Sequence, residues 1–175
     1  MKYFLLTAAL GAAFALPISA VAQAVPNPAF QPVELTPIAH SDATLTIVDS
    51  GGVEHVYGPT ELEGLPTYAL RTTTPWREEP ALFEGVLLVD LLARHGLDQV
   101  EGVFVLAEND YVSEIGRAAW ETGAIMIATR VDGRPHSRRA RGPIQFVVPM
   151  QVLESEEAIT TQHLVWMAAR IRSAD

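Results

Sequence analysis

The apolar residues of this chain fall into short runs, and only one of these runs repeats with the period of an α-helix. Leu88, Leu91, Leu92 and His95 lie at i, i+3, i+4 and i+7, and Gly96 follows at a position that favours a helix C-cap. The remaining runs are brief, rich in β-branched residues or alternating. Many short strands with a few short helices, and no regular alternation of strand and helix, predict the α+β class.

An alternating segment from Thr44 predicts a β-hairpin, because Leu45 and Ile47 share one face and residues 49–52 supply a turn. Further strands are expected in residues 68–74, 81–85, 103–107, 124–129, 144–148 and 164–171, and brief helices in 59–65 and 118–122. The segment 164–171 has a mixed pattern that fits either element, and strand is favoured. No internal repeat is visible.

The first 24 residues have the pattern of a secretory signal peptide. Lys2 gives a positive start, residues 3–16 are an apolar or small-residue run, and Ala22-Gln23-Ala24 has the form of a cleavage site. The run is shorter than the ~20 apolar residues that span a bilayer, so cleavage is predicted rather than membrane anchoring. We therefore expect the mature protein in the periplasm, without a lipid anchor since no cysteine is present.

The rest of the chain divides into a lead-in and one domain. Residues 25–43 contain four prolines, which suit an extended segment and exclude a helix interior. Residues 44–175 then form the domain. A chain of 175 residues is long enough for one hydrophobic core and too short for two independent ones.

Charge and composition exclude several classes of function. With a net charge of −9, the protein lacks the basic surface that binding to nucleic acids requires. With no cysteine, thiolate zinc sites, iron–sulfur clusters and a catalytic thiol are excluded, and no metal site is expected because the histidines show no helical ligand spacing. The sequence contains no Gly-x-Ser-x-Gly elbow and no P-loop, so it lacks the motifs that usually indicate a hydrolase or a nucleoside triphosphatase.

The run Arg71-Thr72-Thr73-Thr74-Pro75-Trp76 carries the most chemistry of any segment. Hydroxyl groups, a flat indole and a planar guanidinium together suit a flat heterocycle. The same residues also suit an ordinary strand with a core tryptophan, because threonine fits a pleated sheet. Pro75 favours the binding interpretation, since it ends the strand and places Trp76 on a loop.

Two other polar groups follow or precede predicted strands. Arg139 and Arg141 belong to a cluster of three arginines, whose planar forks suit a phosphate or carboxylate. A solvated loop is the alternative for such a charge run. Asn109 and Tyr111 follow a buried-looking strand, and loops after strands are frequent sites of binding.

The ordered set of these segments resembles the oxidoreductase molybdopterin-binding domain family, which has the sulfite-oxidase fold. The resemblance spans residues 45–171 and rests on the segments 71–76, 83–92, 108–111, 128–133 and 141–143. It implies a mixed α+β fold with a cleft for a pterin. In catalytic members a cysteine of the first loop binds molybdenum, and here Thr72 stands at that place, where a hydroxyl does not replace a thiolate as a soft ligand.

The small exported members of the family include proteins that bind a reduced pterin without metal and control membrane enzymes of cyclic-di-GMP turnover. The resemblance therefore implies a non-catalytic periplasmic sensor for a tetrahydropterin, with the periplasmic domain of a membrane signalling protein as partner. By the same resemblance, the pterin would contact Thr72, Thr73, Trp76, Asn109, Tyr111, Arg139 and Arg141, with Arg71 beside them. The alternatives are a molybdopterin-dependent oxidoreductase subunit and a structural remnant that binds only protein.

Overall fold

The computed structural model describes residues 27–175, so the predicted signal peptide lies outside the described residues. The strands are β1 Gln31–Pro32, β2 Leu45–Val48, β3 Glu54–Tyr57, β4 Tyr68–Thr74, β5 Arg77–Leu87, β6 Gly102–Ala107, β7 Val112–Gly116, β8 Met126–Val131, β9 Arg134–Pro135, β10 Gln145–Val147 and β11 Ala168–Ser173. The α-helices are α1 Pro59–Leu62, α2 Leu88–Arg94, α3 Arg117–Trp120 and α4 Met150–Ser155, and 3₁₀ turns span Arg138–Ala140 and Thr161–His163. This content is α+β, as predicted.

The strands form two sheets. A six-stranded sheet has the order β1-β4-β5-β8-β10, with β9 also paired to β8. A five-stranded sheet has the order β3-β2-β11-β6-β7. Its neighbouring strands are antiparallel except for β11 and β2, which are parallel. The last strand thus lies in the middle of the second sheet, although it ends the chain.

Side chains from both sheets join one hydrophobic core. Leu45 and Ile47 of β2 are fully buried, whereas their neighbours on β2 are only half-buried, as the alternating pattern predicted. From the other sheet, Phe83 and Leu87 of β5 enter the same cluster. The apolar stripe of α2 is buried as well, so the helix that the periodicity predicts packs on the core.

A close approach of two strands requires glycine at position 85. A Cβ atom at Gly85 would lie 2.0 Å from the carbonyl oxygen of Ile127, which no side chain can tolerate. The β5–β8 register shifts at this point, between Glu84 and Gly85. Gly85 therefore lets β8 pass directly beside β5.

The lead-in packs along the edge of the six-stranded sheet. Gln31 and Pro32 pair with Ala69 and Tyr68 of β4, and Phe30 is buried in the core. Further along, the backbone carbonyl of Thr36 accepts a hydrogen bond from Arg130. No helix within residues 27–175 is both long and apolar enough to cross a membrane.

Some elements differ from the sequence-based expectation. The strand predicted in residues 81–85 is β5, which is longer at both ends and includes Pro80. The pairing of β5 with β8 begins only at Phe83. Pro80 lies before this point, so its lack of an N–H does not interrupt the hydrogen bonds between these two strands. Strand β7 and helix α4 were not predicted. The mixed segment 164–171 becomes a strand only from Ala168 onward.

Candidate ligand-binding site

Two tryptophans and an arginine form the centre of the site. Trp76 lies in the tight turn between β4 and β5 and is 41% exposed, so it is not a core residue. Its ring stacks on Trp166, with 5.5 Å between ring centroids and 28° between ring planes. The Cζ atom of Arg141 lies 4.6 Å from the Trp76 centroid and 4.0 Å from that of Trp166. These distances are within the range of cation–π attraction.

A cavity of about 350 Å³ opens on one side of the tryptophan pair, and we call it the basic cavity. Its lining includes Thr74, Trp76, Arg77, His136, Arg138, Arg139, Arg141, Gln145 and Trp166. Arg77 is paired with Asp132, and Arg138 with Glu108. Within residues 27–175, no carboxylate forms an ion pair with Arg139 or Arg141, so two guanidinium groups remain available to an anionic or polar ligand.

The backbone at Arg141 is held in an uncommon conformation. Its φ of 79° is left-handed, which costs a non-glycine residue roughly 1 kcal/mol or more. The next residue, Gly142, packs so tightly that a Cβ atom would lie 2.5 Å from the carbonyl oxygen of His136. In addition, the N–H of Met167 donates to the carbonyl oxygen of Arg141 at 3.3 Å. These contacts position the guanidinium over both indole rings.

A buried histidine forms part of the wall of the basic cavity. His136 is 4% exposed, and its Nε2 lies 2.6 Å from Oε1 of Gln145. Burial lowers the pKa of His136, although the hydrogen bond with Gln145 acts in the opposite direction. The imidazole is therefore neutral at neutral pH, with Nε2–H donating to Gln145, and the positive charge of this wall comes from arginine.

A second cavity of about 280 Å³ also borders the tryptophan pair, and we call it the neutral cavity. Its lining consists of Trp76, Asn109, Tyr111, Thr161, Gln162, Leu164 and Trp166, none of which carries a charge. The hydroxyl of Tyr111 donates to the carbonyl oxygen of Gln162 at 3.1 Å. This bond ties the β6–β7 turn to the turn at Thr161–His163.

The structure separates the site residues predicted from the sequence into three groups: those that line the basic cavity, those that line the neutral cavity, and those that line neither. Trp76 borders both cavities, Arg139 and Arg141 line the basic cavity, and Asn109 and Tyr111 line the neutral cavity. Arg71, Thr72 and Thr73 line neither. The buried hydroxyl of Thr72 instead accepts a hydrogen bond from the backbone N–H of Met150 at 3.0 Å, at the start of α4. Thr74, two residues further on, is the threonine that lines the basic cavity.

The sequence-based reasoning missed several cavity residues, among them Trp166, His136 and Gln145. Trp166 follows the short apolar run Leu164–Val165, and nothing local distinguishes it from a core aromatic. His136 was passed over because the histidines show no metal-ligand spacing, and Gln145 because it lies within the predicted strand 144–148. The chain brings them together because β9 and β10 both pair with β8. No local signal in the sequence marks these three residues as lining a cavity.

The donor set fits a flat heterocycle better than a protein-bound metal ion. The sequence contains no cysteine, so it offers no thiolate to molybdenum. Within the described residues, no group of three or more histidine, aspartate or glutamate side chains could hold a metal ion. By contrast, the indole faces, two unpaired guanidinium groups and amide side chains suit the face and polar edge of a flat heterocycle.

Comparisons with known proteins place the fold. No family model matches the sequence, and no curated protein matches it. Among solved structures, the chain is similar to the sulfane dehydrogenase SoxCD from Paracoccus pantotrophus, with a TM-score of 0.60 and 14% sequence identity. The match covers 79% of this chain and 39% of the SoxCD chain, so this chain spans well under half of that protein's length. The chain therefore shares the fold of a part of this dehydrogenase.

Proposed function

We propose that the protein is a non-catalytic module of the molybdopterin-binding, sulfite-oxidase-like fold and that it binds a reduced pterin. The proposal is supported by one observation above the others, the Trp76–Trp166 pair capped by Arg141 between two cavities. The fold shared with sulfane dehydrogenase SoxCD agrees with it. The absence of cysteine from the sequence favours binding over molybdenum chemistry.

The chemistry of a tetrahydropterin matches the two cavities. The ligand has a flat pyrimidinone ring for stacking, and that ring carries both donors and acceptors along its edge. Trp76 and Trp166 offer faces for stacking, and the side-chain amides of Asn109 and Gln162 can both donate and accept. The basic cavity then receives a polar or anionic substituent of the ring through Arg139 and Arg141.

We further propose that pterin binding is read by a membrane signalling enzyme through its periplasmic domain. A ligand transmits a signal only if it binds two conformations with different affinities. The turn that carries Trp76 joins β4 and β5 of the six-stranded sheet, whereas Trp166 pairs with Gln145 of β10 in that sheet and leads directly into β11 of the five-stranded sheet. A ring placed against both indoles therefore acts on both sheets at once, which is the change that a partner protein can detect.

Calorimetric titration with tetrahydrobiopterin tests the binding proposal. We expect saturable heat and quenching of tryptophan fluorescence, with both effects reduced at least tenfold in Trp166→Ala. Arg141→Ala in the cavity should also weaken binding. Its charge-matched control is Arg94→Ala at the exposed end of α2, which should bind like the wild type. Absence of saturable heat from the wild-type protein refutes the proposal.

The second candidate function is that of a molybdopterin-dependent oxidoreductase subunit, which the likeness to a dehydrogenase favours. Bound molybdopterin would supply the redox chemistry, with Arg139 and Arg141 facing its phosphate. Elemental analysis of protein purified from its native source decides between the two. Molybdenum in a stoichiometric amount supports the oxidoreductase, whereas metal-free protein that still binds tetrahydrobiopterin supports the sensor.

A further inference from the structure

The outer face of the five-stranded sheet, meaning the face that points away from the core, is open to solvent. Across the strand order β3-β2-β11-β6-β7, one row of its side chains is Val56, Thr46, Arg170, Leu106 and Val112. The next row is Glu54, Val48, Arg172, Phe104 and Glu114. Val56 and Val112 are 60% and 49% exposed, so the face presents apolar side chains to water.

Some charged residues of this outer face have ion-pair partners and others do not. Arg170 is paired with Glu54 at 2.5 Å, whereas Arg172 lies over the ring of Phe104, with 4.8 Å from its Cζ atom to the ring centroid. Within residues 27–175, neither Arg172 nor Glu114 belongs to an ion pair. The two residues are separated by one strand, since Phe104 of β6 lies opposite both.

This order of charges is self-complementary about β6. A two-fold axis parallel to β6 places β11 of one copy over β7 of another, with β6 over β6. Arg172 of each copy then faces Glu114 of the other, while Phe104 and Leu106 each meet their own counterparts. Sheets that pack face to face in this aligned manner are common, at about 30° between strand directions. Both unpaired charges find partners, and the apolar residues of β6 are buried.

Other registers are less favourable. An axis along β11 places Arg170 over Arg170 and Arg172 over Arg172, so like charges meet. An axis along β2 pairs Arg172 with Glu54, which Arg170 already uses, and brings only Thr46 and Val48 against their counterparts, a smaller apolar centre than Phe104 and Leu106. The β6-centred register is the one that joins unused opposite charges around an apolar centre.

We propose that the protein forms a dimer of two identical copies through this outer face, centred on β6, with reciprocal Arg172–Glu114 ion pairs. The overlap involves three strands of each copy, a smaller patch than the roughly 800 Å² per partner of a standard interface. We therefore expect a weak dimer. None of the residues in the two rows lines the basic cavity or the neutral cavity.

Sedimentation velocity over a concentration series up to about 1 mM, together with charge reversals, tests the dimer. We expect the wild-type protein to sediment as a monomer–dimer mixture. Arg172→Glu or Glu114→Arg alone weakens association at least tenfold, because each brings two like-charge pairs together. An equimolar mixture of these two variants associates again, since every pair in the mixed dimer then joins opposite charges.

Charge reversals elsewhere provide the controls. Arg134→Glu and Glu121→Arg change the net charge by the same amounts at exposed positions outside the outer face, and we expect wild-type association for both. A wild-type protein that stays monomeric up to 1 mM overturns the proposal. It is equally overturned if the mixture of Arg172→Glu and Glu114→Arg associates no better than either variant alone, or if only Glu54→Arg dissociates the dimer.

Discussion

At the scale of single residues, the threonine run shows how one position changes the role of a side chain. Thr72 and Thr74 have the same chemistry and are both buried, yet Thr72 accepts a hydrogen bond from the N–H of Met150 and Thr74 borders the basic cavity. The strand register shifts between these residues where the chain enters the turn. The sequence shows three consecutive hydroxyls, but only this local irregularity decides which one reaches the cavity.

Replacing each threonine by valine separates these roles. Thr74→Val removes a hydroxyl from the cavity and is expected to weaken tetrahydrobiopterin binding about fivefold, the loss of one hydrogen bond of about 1 kcal/mol. Thr72→Val leaves the affinity unchanged and lowers the free energy of unfolding by about 1 kcal/mol, because an N–H of α4 loses its acceptor. Calorimetric titration and urea unfolding measure the two effects. The opposite result, with Thr72→Val alone weakening binding, contradicts the assignment.

At the scale of secondary-structure elements, sequence patterns predict the elements that have one apolar face. The hairpin of β2 and β3, strand β4 and helix α2 follow from alternation or from a helical stripe, since one face of each element packs on the core. Strand β7 carries the same alternation, but its exposed Val112 and buried Ser113 reverse the expected polarity. Its place at the sheet edge is set by pairing with β6, which the sequence does not display.

The lead-in is held to the six-stranded sheet by a buried cluster of polar groups. Glu63 lies beside Arg130, with 2.5 Å between Oε2 and Nη2, and also contacts Thr129 and His40. Arg130 in turn donates to the carbonyl oxygen of Thr36 in the lead-in. Burial raises the pKa of Glu63, but the hydrogen bonds from Arg130, Thr129 and His40 outweigh it and hold this pKa below its ordinary value.

This lowered pKa predicts a loss of stability in acid. The ionised carboxylate stabilises the fold above about pH 4.5, and that contribution disappears as the pH falls through the lower pKa of the folded state. In Glu63→Gln this step is absent, and the free energy of unfolding at pH 7 falls by about 3 kcal/mol because Arg130 loses its buried partner. Urea unfolding between pH 3 and 7 tests both effects. A variant with the wild-type pH profile contradicts the role of Glu63.

At the scale of the whole molecule, one core joins two sheets, and the candidate site lies where their loops meet. The α+β class follows from the distribution of short runs along the sequence. The site does not, because Trp76 and Trp166 are far apart in the chain and meet only when the C-terminal segment passes from β10 to the second sheet. The sequence therefore predicts Trp76 as a site residue, whereas Trp166 is found only from the topology of the fold.

Three buried histidines make the whole fold sensitive to mild acid. Burial lowers the pKa values of His95, His136 and His163 below the ordinary value of 6.5, so each binds a proton less readily in the folded protein than in the unfolded chain. The unfolded state then holds more protons, and stability decreases as the pH falls below 6.5 toward the lower folded-state pKa values. Thermal unfolding at pH 7.5 and 5.5 should show a lower Tm at 5.5, and a smaller decrease in His163→Gln. An unchanged Tm contradicts this.

The central claim is that the indole pair forms the wall of a ligand site. Its most direct test is calorimetric titration of tetrahydrobiopterin into the wild-type protein and Trp76→Ala, with Val53→Ala as an exposed apolar control in the β2–β3 turn. Trp76→Ala should remain folded, because Trp76 is not part of the buried core. We predict saturable binding for the wild type and Val53→Ala and at least tenfold weaker binding for Trp76→Ala. Equal binding by all three proteins, or none by the wild type, contradicts the claim.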